Sequence, residues 1–393
     1  MSMLIRKPKG LESFFIDLAY GGCDMTIRVY LKLNKKPSQE KINKAVNTVL
    51  KSHVGTNLKY KRNAWYSAEY THKCRVYELS DKQDPYTYKT APVDYLSNTI
   101  SHDFLHTPSD DWYICFGFFH GAIDGRSAVQ FVYDFFEALN GEKEFKNEYS
   151  YSAHELIDFE NDDLVPKRKN VFTVLPGCKP LSWIPSEMGE DKAFVLRSES
   201  CVSAVAARIS SNVGKLFTEK SAKMFVPVDV RRYYQGSSFL MGNIFIPLFF
   251  EGKRGKRLED LRAEIVECVK SKKHLTKIAR RLTLYNLIPP FIRSRMIKFL
   301  IPVVMKRKKF IYSALVSSIG KIDSERLKSS DLTVKDVAVT FISFPYAAFS
   351  AISLQYDGHT NTTISWNSGR VPDKTAHRLI GKIRGNVYGK LKN

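Results

Sequence analysis

The chain of 393 residues is long enough for two domains, because single hydrophobic cores stop growing at roughly 250 to 300 residues. Apolar residues make up 44% and charged residues 26% of the composition, which predicts a globular protein and excludes a disordered one. The formal net charge of +21 favours an anionic partner, and it does not choose among nucleotide phosphate, an acidic protein, a lipid surface and nucleic acid.

The cysteines and the apolar segments predict a cytoplasmic protein. The 6 cysteines form no C-x-x-C pair, and this scatter fits a reducing compartment. The first apolar stretches are interrupted by Glu12 and Asp17, unlike a secretory signal. The longest candidate for a membrane span, residues 299–305, is much shorter than the roughly 20 residues that a span requires.

The first helix predicted along the chain follows a half-buried strand. Residues 26–33 read T-I-R-V-Y-L-K-L, and this alternation is typical of a strand with one buried face. Ser38 then stands where a helix N-cap is expected. The apolar face of this helix is predicted to consist of Ile42, Ala45, Val46, Val49 and Leu50.

A buried strand, a tight turn and a second helix are predicted further along the first half. Two short strands, at 65–70 and 75–79, come before residues 112–119, which are apolar nearly throughout and predict a strand buried on both faces. The turn H-G-A-I-D-G follows at 120–125, and residues 127–139 return to helical spacing.

Prolines and glycines punctuate residues 166–192, which we interpret as a crossover linker. The linker would separate an N-terminal subdomain, residues 1–165, from a C-terminal subdomain, residues 193–393. The elements predicted next are a strand at 201–209, a helix at 210–220, a strand at 223–228 and a helix at 257–270. Asp357-Gly358, between two alternating segments, is a strong hairpin signal.

The turn after the buried strand carries the most specific motif in the chain. Residues 119–125 read F-H-G-A-I-D-G and resemble the H-H-x-x-x-D-G signature of the chloramphenicol acetyltransferase-like superfamily. That group includes peptide-synthetase condensation domains, plant BAHD acyltransferases, alcohol acetyltransferases and polyketide-associated acyltransferases. Three further segments are similar to superfamily patterns in the expected order: 42–58, 226–231 with Gly242-Asn243 downstream, and 315–320.

The resemblance implies an α/β (α+β) fold with two subdomains of mixed sheets and flanking helices, and an active-site tunnel at their interface. It also implies acyl transfer from a pantetheine thioester, with acyl-CoA or an acyl carrier protein as the donor and no permanently bound cofactor. The superfamily's aspartate pairs with an arginine and holds the shape of the turn. Asp124 and Arg231 match these two positions.

The chain also departs from the superfamily pattern. Phe119 replaces the first histidine, as in some other members, and Ser318 stands where asparagine is frequent. No D-F-G-W-G motif occurs near the C-terminus, which argues against a plant-type BAHD enzyme.

His120 is the predicted general base. A thioester carbonyl is already reactive, so the missing ingredient is a nucleophile that loses its proton as it attacks, and an imidazole titrates near neutral pH. The amide of Gly125 is a candidate oxyanion donor, although an ordinary turn glycine fits equally well. Asn243 and Ser365 are weaker candidates for oxyanion or substrate contact. His102 and His106 lack a third ligand, so we predict no metal site.

Two other classes of function stay open at this stage. A catalytically inactive protein of the same fold could bind a membrane surface or an acidic partner through the basic residues 253–309, so peripheral membrane contact is one expectation. Nucleic-acid binding rests on charge alone, because no recognised zinc-finger or RNA-recognition signature occurs, and we do not expect it. The leading prediction is a monomeric acyltransferase that acts on a small alcohol or amine acceptor.

Overall fold

The computed structural model of the chain describes most of both halves. The described residues are 3–53, 55–142, 144–145, 147–149, 153, 190–202, 204–214, 221–234, 236, 238–253, 257–271, 284–306, 312–341 and 346–387. The predicted linker at 166–192 lies almost entirely outside these ranges, so the predicted subdomain boundaries stay predictions.

Both halves contain strands and helices. The strands are β1 (Leu4–Arg6), β2 (Thr26–Leu33), β3 (Leu58–Lys61), β4 (Ala64–Ser67), β5 (Val76–Glu78), β6 (Ile100–His106), β7 (Trp112–Phe119), β8 (Asn147–Tyr149), β9 (Asp191–Ser198), β10 (Ser221–Asp229), β11 (Phe239–Met241), β12 (Phe245–Lys253), β13 (Tyr312–Lys321), β14 (Val334–Phe341), β15 (Ala347–Tyr356) and β16 (His359–Asn367). The helices are α1 (Leu11–Tyr20), α2 (Gln39–Ser52), α3 (Gly125–Leu139), α4 (Val205–Gly214), α5 (Leu258–Lys270), α6 (Pro290–Lys306) and α7 (Asp373–Val387).

The first half is built on a mixed sheet with the strand order β14-β2-β7-β6-β5. Every residue of β7 is buried, as predicted from its apolar sequence. Helices α2 and α3 pack against each other beside this sheet. The Ser38 side chain accepts a hydrogen bond from the Lys41 backbone N–H, and the predicted apolar face of α2 is the buried one.

The second half contains a mixed sheet with the order β12-β10-β13-β15-β16-β9. Strands β10, β13 and β15 run parallel to one another, whereas β15 and β16 form an antiparallel hairpin. The predicted turn at Asp357-Gly358 has positive φ at both residues, which is the conformation that two-residue hairpin turns require. Helices α4 and α7 pack on each other and share an apolar core with this sheet.

One strand joins the two halves. β14 follows α6 in the chain, yet it pairs antiparallel with β2, from Val334 opposite Leu33 to Phe341 opposite Ile27. The second half therefore completes the edge of the first sheet. The largest apolar core accordingly contains residues of both halves, such as Ile27 and Phe245.

One predicted strand is wrong. Residues 201–209 were expected to be extended, but α4 begins at Val205 and continues to Gly214. Val205, Ile209 and Val213 are four residues apart and all buried, so they form one face of a helix. This helix covers the first part of the helix predicted at 210–220, and residues 215–220 lie outside the described ranges.

Candidate functional site

A cavity of about 320 Å³ lies between the two halves and is lined by His120. Phe15, Ile27, Asp124 and Gly125 contribute to its wall from the first half. Side chains of β10, β12, β13, β14, β15 and α5 line it from the second half, and most of these are apolar. The exposed residues Arg126 and Arg232 also line the cavity, so it reaches the protein surface. The predicted imidazole thus lies beside an open space and is not packed in a solid interior.

The His120 ring is held in one orientation. Its Nδ1 is 3.2 Å from the carbonyl oxygen of Ile123, and because a carbonyl only accepts hydrogen bonds, Nδ1 carries the proton. The neutral ring then has its lone pair on Nε2, which is the form that a general base requires. The His120 backbone N–H donates to Met25 O at 2.7 Å. This bond holds the end of β7 against the residue that precedes β2.

Three phenyl rings surround the imidazole. Phe15 of α1 stacks on it, with ring centroids 4.5 Å apart and planes inclined by 19°. Phe245 and Phe341 lie at centroid distances of 5.6 and 5.0 Å. Desolvation in this apolar setting lowers the pKa of His120 from 6.5 to about 4, although the nearby Asp124 carboxylate opposes the shift. The imidazole is therefore neutral at pH 7.

Asp124 does not orient the imidazole, because its carboxylate is occupied by other donors. Arg231 Nη2 donates to Oδ1 at 3.0 Å and to Oδ2 at 2.9 Å. The Ser127 backbone N–H donates to Oδ1, and the Ile244 backbone N–H donates to Oδ2. Asp124 thus caps helix α3 and, through Arg231 and Ile244, ties the turn to the second half of the protein. The structure brings Asp124 and Arg231 together, as the resemblance implies.

Gly125 is the first residue of α3 and lines the cavity. The first backbone N–H groups of a helix have no partner within the helix, and they carry the positive end of its dipole. Gly125 is not among the glycines with positive φ, and an added Cβ would only reach ordinary contact with Ile319. Its backbone amide, and not an unusual conformation, is the feature that could act on a substrate.

Asn243 and Ser365 are not among the residues that line this cavity, and their contact with a substrate stays a prediction. The Asn243 side-chain amide donates to the backbone oxygen of His120 at 2.7 Å, so it supports the turn from behind. Ser365 is buried in β16 and lines a separate small pocket beside Arg28 and Tyr30. Its place between β15 and β9 in the second sheet could not be derived from the local sequence, because the pairing of β16 with β9 is long-range.

The residues that shape the site most were not predicted. Phe15 belongs to α1, which was not predicted as a helix. Phe245 begins β12 and Phe341 ends β14, and neither strand was predicted. Phe119, in the place of the first histidine of the motif, is 1% exposed and stacks on Tyr95 with centroids 4.6 Å apart. It is a core residue and does not line the cavity.

No family model matches the chain, and no curated protein matches it either. Solved structures resemble it over nearly its whole length. Polyketide synthase associated protein 5 from Mycobacterium tuberculosis gives a TM-score of 0.60 at 12% identity, with 98% of this chain and 99% of that chain covered. The condensation domain from Monacolin K polyketide synthase MokA gives 0.58 at 12% identity, with 99% of each chain covered.

A third similar structure is TRI101 from F. sporotrichioides complexed with Coenzyme A and T-2, with a TM-score of 0.57 at 11% identity and coverage of 96% of this chain and 97% of that chain. These likenesses concern the fold. The chain shares the α/β fold of these structures, with mixed sheets and flanking helices in both halves, and the predicted fold class is confirmed. None of the helices that the structure describes is long and apolar enough to cross a bilayer.

Proposed function

We propose that the protein is an acyltransferase that moves an acyl group from a pantetheine thioester to an alcohol or amine, with His120 as the general base. The observation that carries this proposal is the His120 ring itself. Its Nδ1–H is committed to the Ile123 carbonyl, and the ring lines a cavity that reaches the surface. A neutral imidazole with a free Nε2 lone pair beside a substrate-sized space is suited to accept a proton.

The reaction needs no acyl-enzyme. Nε2 of His120 takes the proton of the acceptor O–H or N–H as the oxygen or nitrogen bonds to the thioester carbon. The tetrahedral intermediate then expels the thiolate, which receives the proton from the imidazolium. Because burial lowers the pKa of the ring to about 4, His120 is a weaker base than a free imidazole, and the imidazolium that forms returns its proton readily to the thiolate. Holding both reactants in line supplies much of the remaining rate enhancement.

The negative charge of the intermediate would lie near the start of α3. The Gly125 backbone N–H stands at the positive end of the helix dipole and lines the same cavity as His120. A preorganised backbone donor of this kind stabilises an oxyanion more than it stabilises the ground-state carbonyl. Gly125 is therefore the proposed oxyanion donor, and Asp124 with Arg231 keeps the turn in place.

The cavity wall is mostly apolar, which suits a substrate whose reacting end is also apolar. Its deep part is lined by Phe225, Phe245, Leu315 and Val339, while Arg126 and Arg232 stand where it reaches the surface. Both acyl-CoA and a carrier protein's phosphopantetheine present phosphate outside such a tunnel, so two arginines there fit either donor. Which of the two donors is used is part of the test.

The experiment is a mass-spectrometric screen of the purified protein with acyl-CoA donors of different chain length and with an acyl-loaded carrier protein, against pooled alcohols and amines. We expect a product heavier than one acceptor by the mass of one acyl group, together with free thiol. No product and no thiol release with any donor would contradict the proposal. In that event the inactive binding protein of the same fold is the better description.

A further inference from the structure

Helix α6 exposes apolar side chains where a surface helix ordinarily carries polar ones. Phe291 is 62% exposed, Phe299 is 72% exposed and Ile292 is 44% exposed. Arg295 and Lys298, also exposed, lie on the same side, because residues three, four, seven and eight apart share one helix face. The outer face of α6 is therefore aromatic and basic.

The inner face of the same helix is polar near its N-terminal end. Arg293 is 3% exposed and forms an ion pair with the buried Asp17 of α1, with Nε and Oδ2 3.3 Å apart. Tyr285 and Ser294 also donate hydrogen bonds to the Asp17 carboxylate. These contacts fix the orientation of α6 on α1, so the exposed phenyl rings are not the result of a loosely placed helix.

The apolar exposure extends beyond α6. Leu287, just before the helix, is 74% exposed, and Leu284 is also exposed. Tyr20 at the end of α1 is exposed, and Lys298 Nζ lies 5.8 Å from the centre of its ring. The α6 surface is the set of Tyr20, Leu284, Leu287, Phe291, Ile292, Arg295, Lys298 and Phe299. Exposed apolar side chains concentrated on one helix and on the residues just before it mark an interaction site.

Charge identifies the kind of partner. The sequence contains no Asp or Glu between Glu267 and Asp323, so every charge on α6 is positive. Phenyl and leucine side chains beside Lys and Arg, in a helix without acidic residues, suit the boundary between the acyl chains and the headgroups of an anionic bilayer. Protein interfaces, by contrast, are depleted in lysine at their apolar centres.

We infer that the α6 surface docks the protein on an anionic lipid bilayer, with α6 lying in the plane of the interface. The phenyl rings enter the boundary region, and Arg295 and Lys298 meet the lipid headgroups. Phe15, on α1 beside the anchored Asp17, stacks on His120, so α1 connects the docked helix with the wall of the cavity. The docking itself needs no acyl transfer.

The test is flotation of the full-length protein with phosphatidylcholine vesicles and with vesicles that also contain phosphatidylserine. We expect binding to the anionic vesicles that weakens at high salt. Changing Phe291→Ser together with Phe299→Ser should lower the partition coefficient by roughly tenfold or more, because two apolar side chains no longer enter the lipid. Lys298→Gln should lower it by roughly fivefold.

Two matched controls and one independent variant complete the design. Leu96→Ser removes an exposed apolar side chain elsewhere, 58% exposed, and Lys335→Gln removes an exposed charge on β14; both should bind as the wild type does. His120→Ala should also bind normally, which separates this inference from the proposed reaction. Failure of the wild type to float, or equal binding by the Phe291 and Phe299 double variant, would overturn the inference. So would a dimer in sedimentation that the double variant converts to a monomer.

Discussion

The His120 imidazole is neutral over most of the accessible pH range, because the phenyl rings around it lower its pKa to about 4. Only the neutral ring accepts a proton, so kcat/KM should be independent of His120 ionisation above about pH 5, one unit above that pKa, and should fall as the pH approaches 4. The pH dependence of kcat/KM, with circular dichroism to verify folding at each pH, checks this. A loss of kcat/KM that sets in already as the pH falls through 6.5 would mean that the ring is solvated.

The ion pair of Asp124 and Arg231 is predicted to stabilise the fold and not to take part in proton transfer. Asp124→Asn should lower the free energy of unfolding by about 2 to 3 kcal/mol, because the nearly buried Arg231 loses its buried carboxylate and keeps only the more exposed Asp229, at 3.1 Å. Glu137→Gln, which removes a half-exposed ion pair with Arg326 from the same helix, should cost less than about 1 kcal/mol. Denaturant unfolding measures both. A fully stable but inactive Asp124→Asn protein would instead indicate a direct catalytic role.

At the scale of elements, α1 is expected to control the environment of the base. Phe15→Ala removes the ring that stacks on His120, so water should reach the imidazole and its pKa should rise from about 4 towards 6.5. Phe14→Ala, on the same helix, is the matched control, since Phe14 contacts Tyr285 and Tyr346. Titration of the His120 ring resonances by NMR measures the pKa of His120 in both variants. An unchanged pKa in Phe15→Ala would show that another group causes the shift.

Elements with strong local patterns were predictable from the sequence. β2 and β7 have the predicted bounds, and α2 has the predicted cap and buried face. The helix α4 was mistaken for a strand because small and β-branched residues at 201–209 fit both periodicities, and only packing selects one. α1 was not assigned, since the carboxylates of Glu12 and Asp17 interrupt its apolar pattern. Both carboxylates are in fact buried and paired with arginines.

The candidate site, too, was predictable only in part. The turn around His120 and the contact of Asp124 with Arg231 follow from residues that match known motifs. The phenyl rings that set the pKa of His120 come from three distant segments, and no local signal joins Phe15, Phe245 and Phe341. Phe341, for example, is placed by the pairing of β14 with β2, which is a long-range contact that periodicity does not encode.

At the scale of the whole molecule, the pairing of β14 with the sheet of the first half should make the two halves unfold together. β14 belongs to the second half by sequence and to the first sheet by pairing, and the main apolar core contains residues of both halves. Differential scanning calorimetry should therefore show one transition, whose van't Hoff and calorimetric enthalpies agree. Two resolved transitions would mean that the halves are independent domains. The predicted boundaries, the monomeric state and the cytoplasmic location stay predictions.

The most direct test of the central claim compares the rate of acyl transfer by the wild type, His120→Ala and His377→Ala, each with its melting temperature. His377 lies on the exposed side of α7 and serves as the matched control. We predict that His120→Ala lowers the rate by roughly 100- to 10,000-fold, the usual contribution of a general base, with little change in melting temperature. A His120→Ala protein that keeps most of the wild-type rate would contradict the assignment of this imidazole as the base.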